Sequence, residues 1–463
     1  MNIKIGNMIR VDNPNYQVLM YCKELELNNP DYDKKQRLGF WVGDTPRKIV
    51  LYKKEGSTII FPYGSLYEIL RYYSSGDSIE NEFVDMRKID YAAEIPLYDY
   101  QSKAVETMIK AGHGILKAPA GSGKTQMGIS LMSQYGGRAL WITHTQDLLK
   151  QSYDRASQYI DKSLLGTVTE GKINIGEGIT FATVQTLSKI DLTEYKNHWD
   201  VIVVDECHRC SGTPTTVTMF SKVLNSLAAR HKFGLSATVH RADGLIKSTY
   251  ALLGRVMHKV DESEVGDKII PVGIKNVPTN IAISTECLND DGTLNYSRLI
   301  TYLAECRHRN EVIIDNIKAN AGYSTLVLSE RLSHLEELIE MLPADMRKDA
   351  VMIHGKMTSK KGKADRVKAI EDMRSGEKKY LFATYSLAKE GLDIPRLERL
   401  YMATPVKDYA VVVQSVGRIA RKFEGKAKPI CYDFVDNIGY LVKAYKKRWT
   451  SYRKCNCYEV KNE

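Results

Sequence analysis

GILKAPAGSGKT, residues 114–125, decides the fold. The apolar pair Ile115 and Leu116 feeds a Gly-rich loop that ends in Lys124 and Thr125, and a helix-like segment, 126–135, follows. Strand, loop and helix in that order predict a phosphate-binding loop. Gly121 and Gly123 let Ala120, Ser122 and their neighbours turn tightly, so that successive N–H groups point at phosphate and the helix N-terminus adds a favourable dipole. In this pattern Lys124 reaches the β- and γ-phosphates of a nucleotide and Thr125 holds Mg²⁺. Ala118 stands where the general pattern GxxxxGK[ST] has its first glycine. Partner motifs downstream set aside the alternative, a Gly-rich turn ending in Lys-Thr by chance.

The first partner is VIVVDECH, residues 201–208, which places Asp205 and Glu206 at the end of a buried strand. There one carboxylate can hold Mg²⁺ through water while its neighbour orients or deprotonates an attacking water. His208 stands where it can relay between nucleotide and core. Ser236 and Thr238, in GLSAT after another short strand, supply small hydroxyls able to bond the acidic pair and a neighbouring domain.

At 463 residues the chain exceeds the roughly 250 at which single cores stop growing, so two or three domains are expected. From 91 to 255 short apolar strands (114–116, 139–143, 179–183, 201–205, 232–236) alternate with helices. A second series (325–329, 350–354, 380–384, 399–403, 429–434) occupies 311–440 after a linker over 256–310. Continuous apolar runs such as VIVV mark parallel sheets covered on both faces, so the fold class is α/β with two tandem parallel-sheet domains. Residues 1–90 form a small α+β accessory module, neutral as a block, with a hairpin whose arms are 49–52 and 58–61 around a turn at 53–57. Tyr52, Phe61 and Tyr63 beside Arg47, Lys48, Lys53 and Lys54 suit either a DNA-contacting hairpin or a solvated edge. The tail, 441–463, is basic, and its aromatic stripe (Tyr445, Trp449, Tyr452) suits packing on its own domain, with the charges, Arg448 among them, touching phosphates.

The net charge of +10 points to a polyanionic partner. The eight cysteines lack the paired spacing of a zinc site and read as free thiols in a reducing compartment. No signal-peptide core is present at the start, and no apolar run approaches the roughly 18 residues of a membrane span. An intracellular, cytoplasmic protein with no membrane partner is expected.

The ordered set APAGSGKT, DECH, SAT and QSVGRIAR resembles a superfamily 2 helicase from about residue 96 to 436. That resemblance implies two RecA-like domains that clamp ATP between them and bind a nucleic-acid strand. It places Gln101 at the adenine and implies strand contacts for Thr143, Thr145, Thr183 and Gln185 in the first domain. In the second domain it implies strand contacts for Ser329, Arg331, His354, Gly355, Lys356 and Thr384. Gly391 and Asp393 fall in the segment that couples nucleotide to strand. In QSVGRIAR, Gln414 meets the γ-phosphate or its water and Arg418 and Arg421 act as arginine fingers, the three sharing one helix face. Tyr98 stands where the family has an arginine.

Within the family the chain looks like the XPB-like and tailed-phage branch-migration group. The implied function is an ATP- and Mg²⁺-dependent DNA helicase or translocase on forked, branched or single-stranded DNA, monomeric, and in the host cytoplasm if of phage origin. The alternatives are a restriction-system motor, an RNA helicase, or a nucleic-acid-binding scaffold with a vestigial ATPase site. The connection 395–414 leaves no room for a long strand-separating hairpin.

Overall fold

The computed structural model describes residues 1–212, 217–239, 245–266, 269–389 and 392–460. The chain forms two compact units, Met1–Pro119 with Gly123–Glu264, and Val265–Glu463 with Ala120–Ser122.

The α/β expectation is borne out in both units. In the first, eight strands stand in the order Lys172–Asn174, Leu165–Thr169, Ile179–Thr183, Ala139–Thr143, Val201–Asp205, His231–Ser236, Gly114–Lys117, Val256–Lys259. All neighbours run parallel except the outermost pair, Lys172–Asn174 against Leu165–Thr169. Val201 to Val204 are fully buried, as a strand covered by helices on both faces must be. The second unit has seven parallel strands in the order Ala350–Ile353, Tyr380–Thr384, Thr325–Ser329, Arg399–Met402, Ile430–Val435, Gly273–Pro278, Tyr458–Glu459. Leu326 and Leu328 feed one apolar cluster and Val327 the other, because successive side chains leave a strand on opposite faces. The segment read as a linker thus contributes Val256–Lys259 to the first sheet and Gly273–Pro278 to the second.

The N-terminal module is a five-stranded sheet in the order Lys53–Glu55, Thr58–Pro62, Met8–Asp12, Asn2–Ile5, Ser78–Asn81. The hairpin needs correcting. Lys53–Glu55, read as turn, is the strand that pairs with Thr58–Pro62, while Lys48–Val50 pairs with Glu26–Asn28 instead. The module seats on the first parallel-sheet domain. A Cβ on Gly64 would lie 2.2 Å from the Tyr250 carbonyl oxygen and 2.4 Å from the Gly254 nitrogen, so backbone approaches backbone where only glycine fits. Ala251, on the helix Ile246–Leu253, belongs to the module's apolar core. The Tyr63 hydroxyl donates to the Arg230 carbonyl, and its ring lies 4.8 Å from Lys232 Nζ.

The C-terminal helix Gly439–Lys454 packs on its own domain. Arg448, read as a phosphate contact, is buried: Nε and Nη2 each donate to Asp433 at 2.8 Å, and the Tyr452 hydroxyl donates to the same carboxylate at 2.7 Å. The partner carboxylate lies on strand Ile430–Val435, which is why the helix reads as exposed from its own composition. A second buried pair, Arg309 and Asp436 at 2.7 Å, braces the same sheet.

Candidate nucleotide and nucleic-acid site

In the first unit, strand register brings the motifs to one sheet edge. Thr183 pairs with Thr143, Asp205 with Leu235, and Ser236 with Lys117, so the loop after Lys117, the acidic pair and the two threonines all leave carboxyl ends of adjacent strands. In open parallel sheets that edge is where ligands bind.

The loop after Lys117 has the geometry its glycines allow. Gly121 and Gly123 have φ of +82° and +79°, and Gly123 caps the helix Lys124–Tyr135. Gln101 lies beneath this turn: a Cβ on Gly123 would sit 2.4 Å from its Nε2. Gln101 is buried, and its Oε1 accepts the Tyr98 N–H at 2.9 Å. Tyr98, the residue standing in for the family arginine, lies stacked on Tyr100 with centroids 6.0 Å apart. Lys124 Nζ donates to the Ala118 and Pro119 carbonyls at 3.3 and 3.2 Å. Thr125 is the next residue of that first helical turn.

Asp205 is buried, and burial, reinforced by the charge of Glu206 and opposed by Lys124, pushes its carboxyl up to about 7. Two adjacent carboxylates whose mutual repulsion Lys124 only partly offsets suit a cation, and the glycine turn with its helix N-terminus suits phosphate. The residues present therefore fit a magnesium nucleotide. Glu206 has φ of +49°, a left-handed conformation that costs a non-glycine residue about 1–3 kcal/mol and that the Glu206 N–H bond to Asp205 Oδ1 helps hold. His208 Nδ1 lies 2.9 Å from Ser236 Oγ and 3.3 Å from Glu206 Oε2, and Ser236 Oγ donates to the Thr238 carbonyl at 2.8 Å. The four residues form one line of polar contacts from the acidic pair to the neighbouring strand end, hydrogen-bonded from His208 onward.

The predicted strand contacts of this unit divide. Thr143 and Thr183 are buried, with their hydroxyls spent on the Thr145 carbonyl and on Thr186 Oγ1. They shape the loops. Thr145 caps the helix Gln146–Ala156, and Gln185 donates to the His144 carbonyl at 2.7 Å. His144, which no sequence motif singled out, is buried with both ring nitrogens lacking a hydrogen-bond partner. Burial, with Arg209 as the next cause, lowers its imidazole to about 4. A lone histidine between two threonines gave no signal in the sequence.

In the second unit Ser329 pairs in register with Thr384, and His354 follows the strand Ala350–Ile353, again at carboxyl ends. Ser329 Oγ lies 3.0 Å from His334 Nδ1 and accepts the Arg331 N–H at 3.1 Å. Arg331 Nη2 reaches Ser297, while Gly355 and Lys356 are exposed and Thr384 bonds Ser386. Gln414 is buried on the helix Tyr409–Ile419, and Arg418 on the same helix donates to the Leu392 carbonyl at 3.1 Å. The shared helix face needs correcting for Arg421. The helix ends at Ile419, and Arg421 instead bridges to Ile269 and pairs with Asp393, which Arg374 also approaches at 3.7 Å. Gly391 lies outside the described residues. The 395–414 connection holds the single strand Arg399–Met402.

A glycine-turn phosphate loop with an acidic pair, its first member buried, at the carboxyl edge of a parallel sheet defines a nucleoside-triphosphate-driven enzyme of the P-loop class. Residues 94–241 match the family described as type III restriction enzyme, res subunit, and residues 308–423 match the helicase conserved C-terminal domain. A protein of Acanthamoeba polyphaga mimivirus that carries the name of an ATP-dependent RNA helicase is 26% identical, covering 88% of this chain and 78% of its own. The DNA 3'-5' translocase XPB2 of Sulfurisphaera tokodaii is 24% identical over 72% of this chain and 80% of its own. The structure of S. cerevisiae Dbp5 bound to RNA and ADP BeF3 superposes with a TM-score of 0.56 at 15% identity, covering 79% of this chain and 90% of that one, a likeness of fold. The chain belongs to the superfamily 2 helicases and is an ATP-dependent enzyme. Among the described residues no helix is long and apolar enough to cross a membrane.

Proposed function

We propose that the chain is a DNA translocase that remodels forked and branched DNA, engaging one strand and driving strand exchange by cycles of ATP hydrolysis. The carrying observation is the line Glu206, His208, Ser236, Thr238, which links the acidic pair to the end of the adjacent strand, where the hydroxyls expected to couple hydrolysis to movement stand. Lys124 binds the β- and γ-phosphates, Gln101 reads adenine from beneath Gly123, and Glu206 accepts the proton of the attacking water. Thr125 and Asp205 would hold Mg²⁺, which when bound neutralises charge on the β- and γ-oxygens. Gln414, Arg418 and Arg421 act on the transferred phosphoryl group, and Asp393 holds Arg421 between cycles. The net charge of +10 supports a nucleic-acid partner, and the named translocase relative supports DNA.

The test is ATP hydrolysis and unwinding on single-stranded, forked, four-way-junction and RNA substrates. Forks and junctions are expected to stimulate most. Lys124→Ala and Glu206→Gln are expected to abolish stimulated turnover while leaving DNA binding in place, and unchanged turnover in either defeats the assignment. The mimivirus relative's name favours a second reading, an RNA helicase, which stimulation by RNA alone would establish.

A further inference from the structure

The N-terminal module carries a finger that touches its core only at the base, through Leu27 and Ile49. The chain leaves that core at buried Leu25 and returns at buried Leu51. Between them Glu26–Asn28 and Lys48–Val50 pair as an antiparallel ribbon, closing residues 29–47 into a loop with its own helix, Pro30–Arg37. No residue from 30 to 48 is buried. Polar bonds supply the order that apolar packing does not. The Asn29 side chain accepts the Asp31 N–H and donates to the Pro46 carbonyl, while Phe40 N–H bonds the Lys35 carbonyl and Lys35 Nζ donates to Thr45 Oγ1 at 2.6 Å.

At the tip of this pinned finger stand Leu38, Phe40 and Trp41, with 51%, 64% and 86% of their surface exposed. Trp41 leans over Gly43, whose φ of +49° brings backbone under the ring: a Cβ there would lie 2.9 Å from the indole. The indole is held from one side and open to water elsewhere. Adjacent exposed aromatic rings on an ordered scaffold mark an interaction surface. The surrounding charge says what kind. Residues 29–48 hold five Lys or Arg (Lys34, Lys35, Arg37, Arg47, Lys48) against three Asp; Asp31, Asp33, Arg47 and Lys48 lie at the base, where Lys48 pairs with Glu26, while Lys34, Lys35, Arg37 and Asp44 lie nearer the tip, a net positive end. Flat rings among cations suit a ligand that offers aromatic faces between phosphates, and only unpaired bases expose those faces.

We propose that Trp41 and Phe40 stack on unpaired bases of single-stranded DNA while Lys34 and Arg37 hold the flanking phosphates. This rests on the DNA reading above and adds a base-stacking contact outside the helicase motifs.

Trp41 reports on itself, because Trp141 and Trp199 are buried and Trp449 is partly buried. The full chain is titrated with a labelled oligo(dT), following label anisotropy and tryptophan emission together, alongside Trp41→Ala and Trp41→Phe. Emission missing from Trp41→Phe isolates the Trp41 signal, which is expected to be quenched in step with anisotropy. Trp41→Ala is expected to weaken binding by about 5- to 150-fold, the range that loss of one base–aromatic stack gives, and Trp41→Phe by less. ATP hydrolysis without DNA is expected to be unchanged in both. Binding by anisotropy with Trp41 emission unmoved, or Trp41→Ala binding as tightly as the parent, overturns the stacking contact and leaves the DNA reading intact. No oligo(dT) binding by any of the three proteins, together with no stimulation by forks, overturns the DNA reading itself.

Discussion

Replacing Gly123 by alanine strikes the phosphate loop in two separable ways. Its φ of +79° costs an L-residue roughly 1–2 kcal/mol, and the new Cβ would meet Gln101 Nε2 at 2.4 Å, about 1 Å inside ordinary contact. Gln101 is buried and bonded to the Tyr98 N–H, so moving it aside forfeits about 1 kcal/mol more. At 1.36 kcal/mol per tenfold, the sum of about 2–3 kcal/mol predicts a rise in KM for ATP on the order of 30- to 150-fold. Steady-state ATP hydrolysis at saturating DNA measures it. The second substitution, Gln101→Ala, removes the obstacle but not the backbone cost. The double variant should therefore recover about 1 kcal/mol relative to the sum of the singles, a coupling well above the scatter of independent sites. Strictly additive effects would refute the steric contact, and an unchanged KM in Gly123→Ala would refute the loop's role in holding phosphate.

Two further predictions concern the second unit. Asp433→Asn leaves the buried Arg448 guanidinium without its carboxylate and should cost about 3–5 kcal/mol in denaturant unfolding, whereas Arg448→Met with Asp433→Leu should cost less than Asp433→Asn alone. A larger loss in the double variant would contradict this account of the C-terminal helix. His334, buried between Ser329 and Asn310, is lowered to about 3 by burial and then by Arg309. Between pH 6.5 and 3 the unfolded chain therefore binds one proton that the folded chain refuses, so stability falls as pH drops through that window, by about 2 kcal/mol at pH 5. Thermal melts of parent and His334→Gln check it: the variant should melt lower at pH 7.5 yet lose less on acidification, and parallel curves would exclude the histidine as the cause.

The parallel sheets were readable in the sequence because strands covered on both faces leave continuous apolar runs, and Val201–Asp205 and Thr325–Ser329 fall where those runs predict. The phosphate turn was readable because few residues other than glycine adopt φ near +80°. Pairing in the N-terminal module was not, since Lys48–Val50 and Lys53–Glu55 are short, part-exposed and without a buried face to fix register, and either could have joined Thr58–Pro62. Arg421 left its expected helix face because the helix stops two residues earlier and Asp393 captures the guanidinium, neither of which spacing encodes. Arg448 looked solvated because its carboxylate partner lies on a different element.

The seating of Gly64 against Tyr250 and Gly254 makes the module an outrigger of the first motor domain and not a bead on a tether. Its footing is the helix Ile246–Leu253, in the same domain as Ser236, whose hydroxyl lies beside His208 of the acidic motif. A chimera that grafts this module onto a relative must carry that helix along, or the borrowed tip will arrive without its bearing surface.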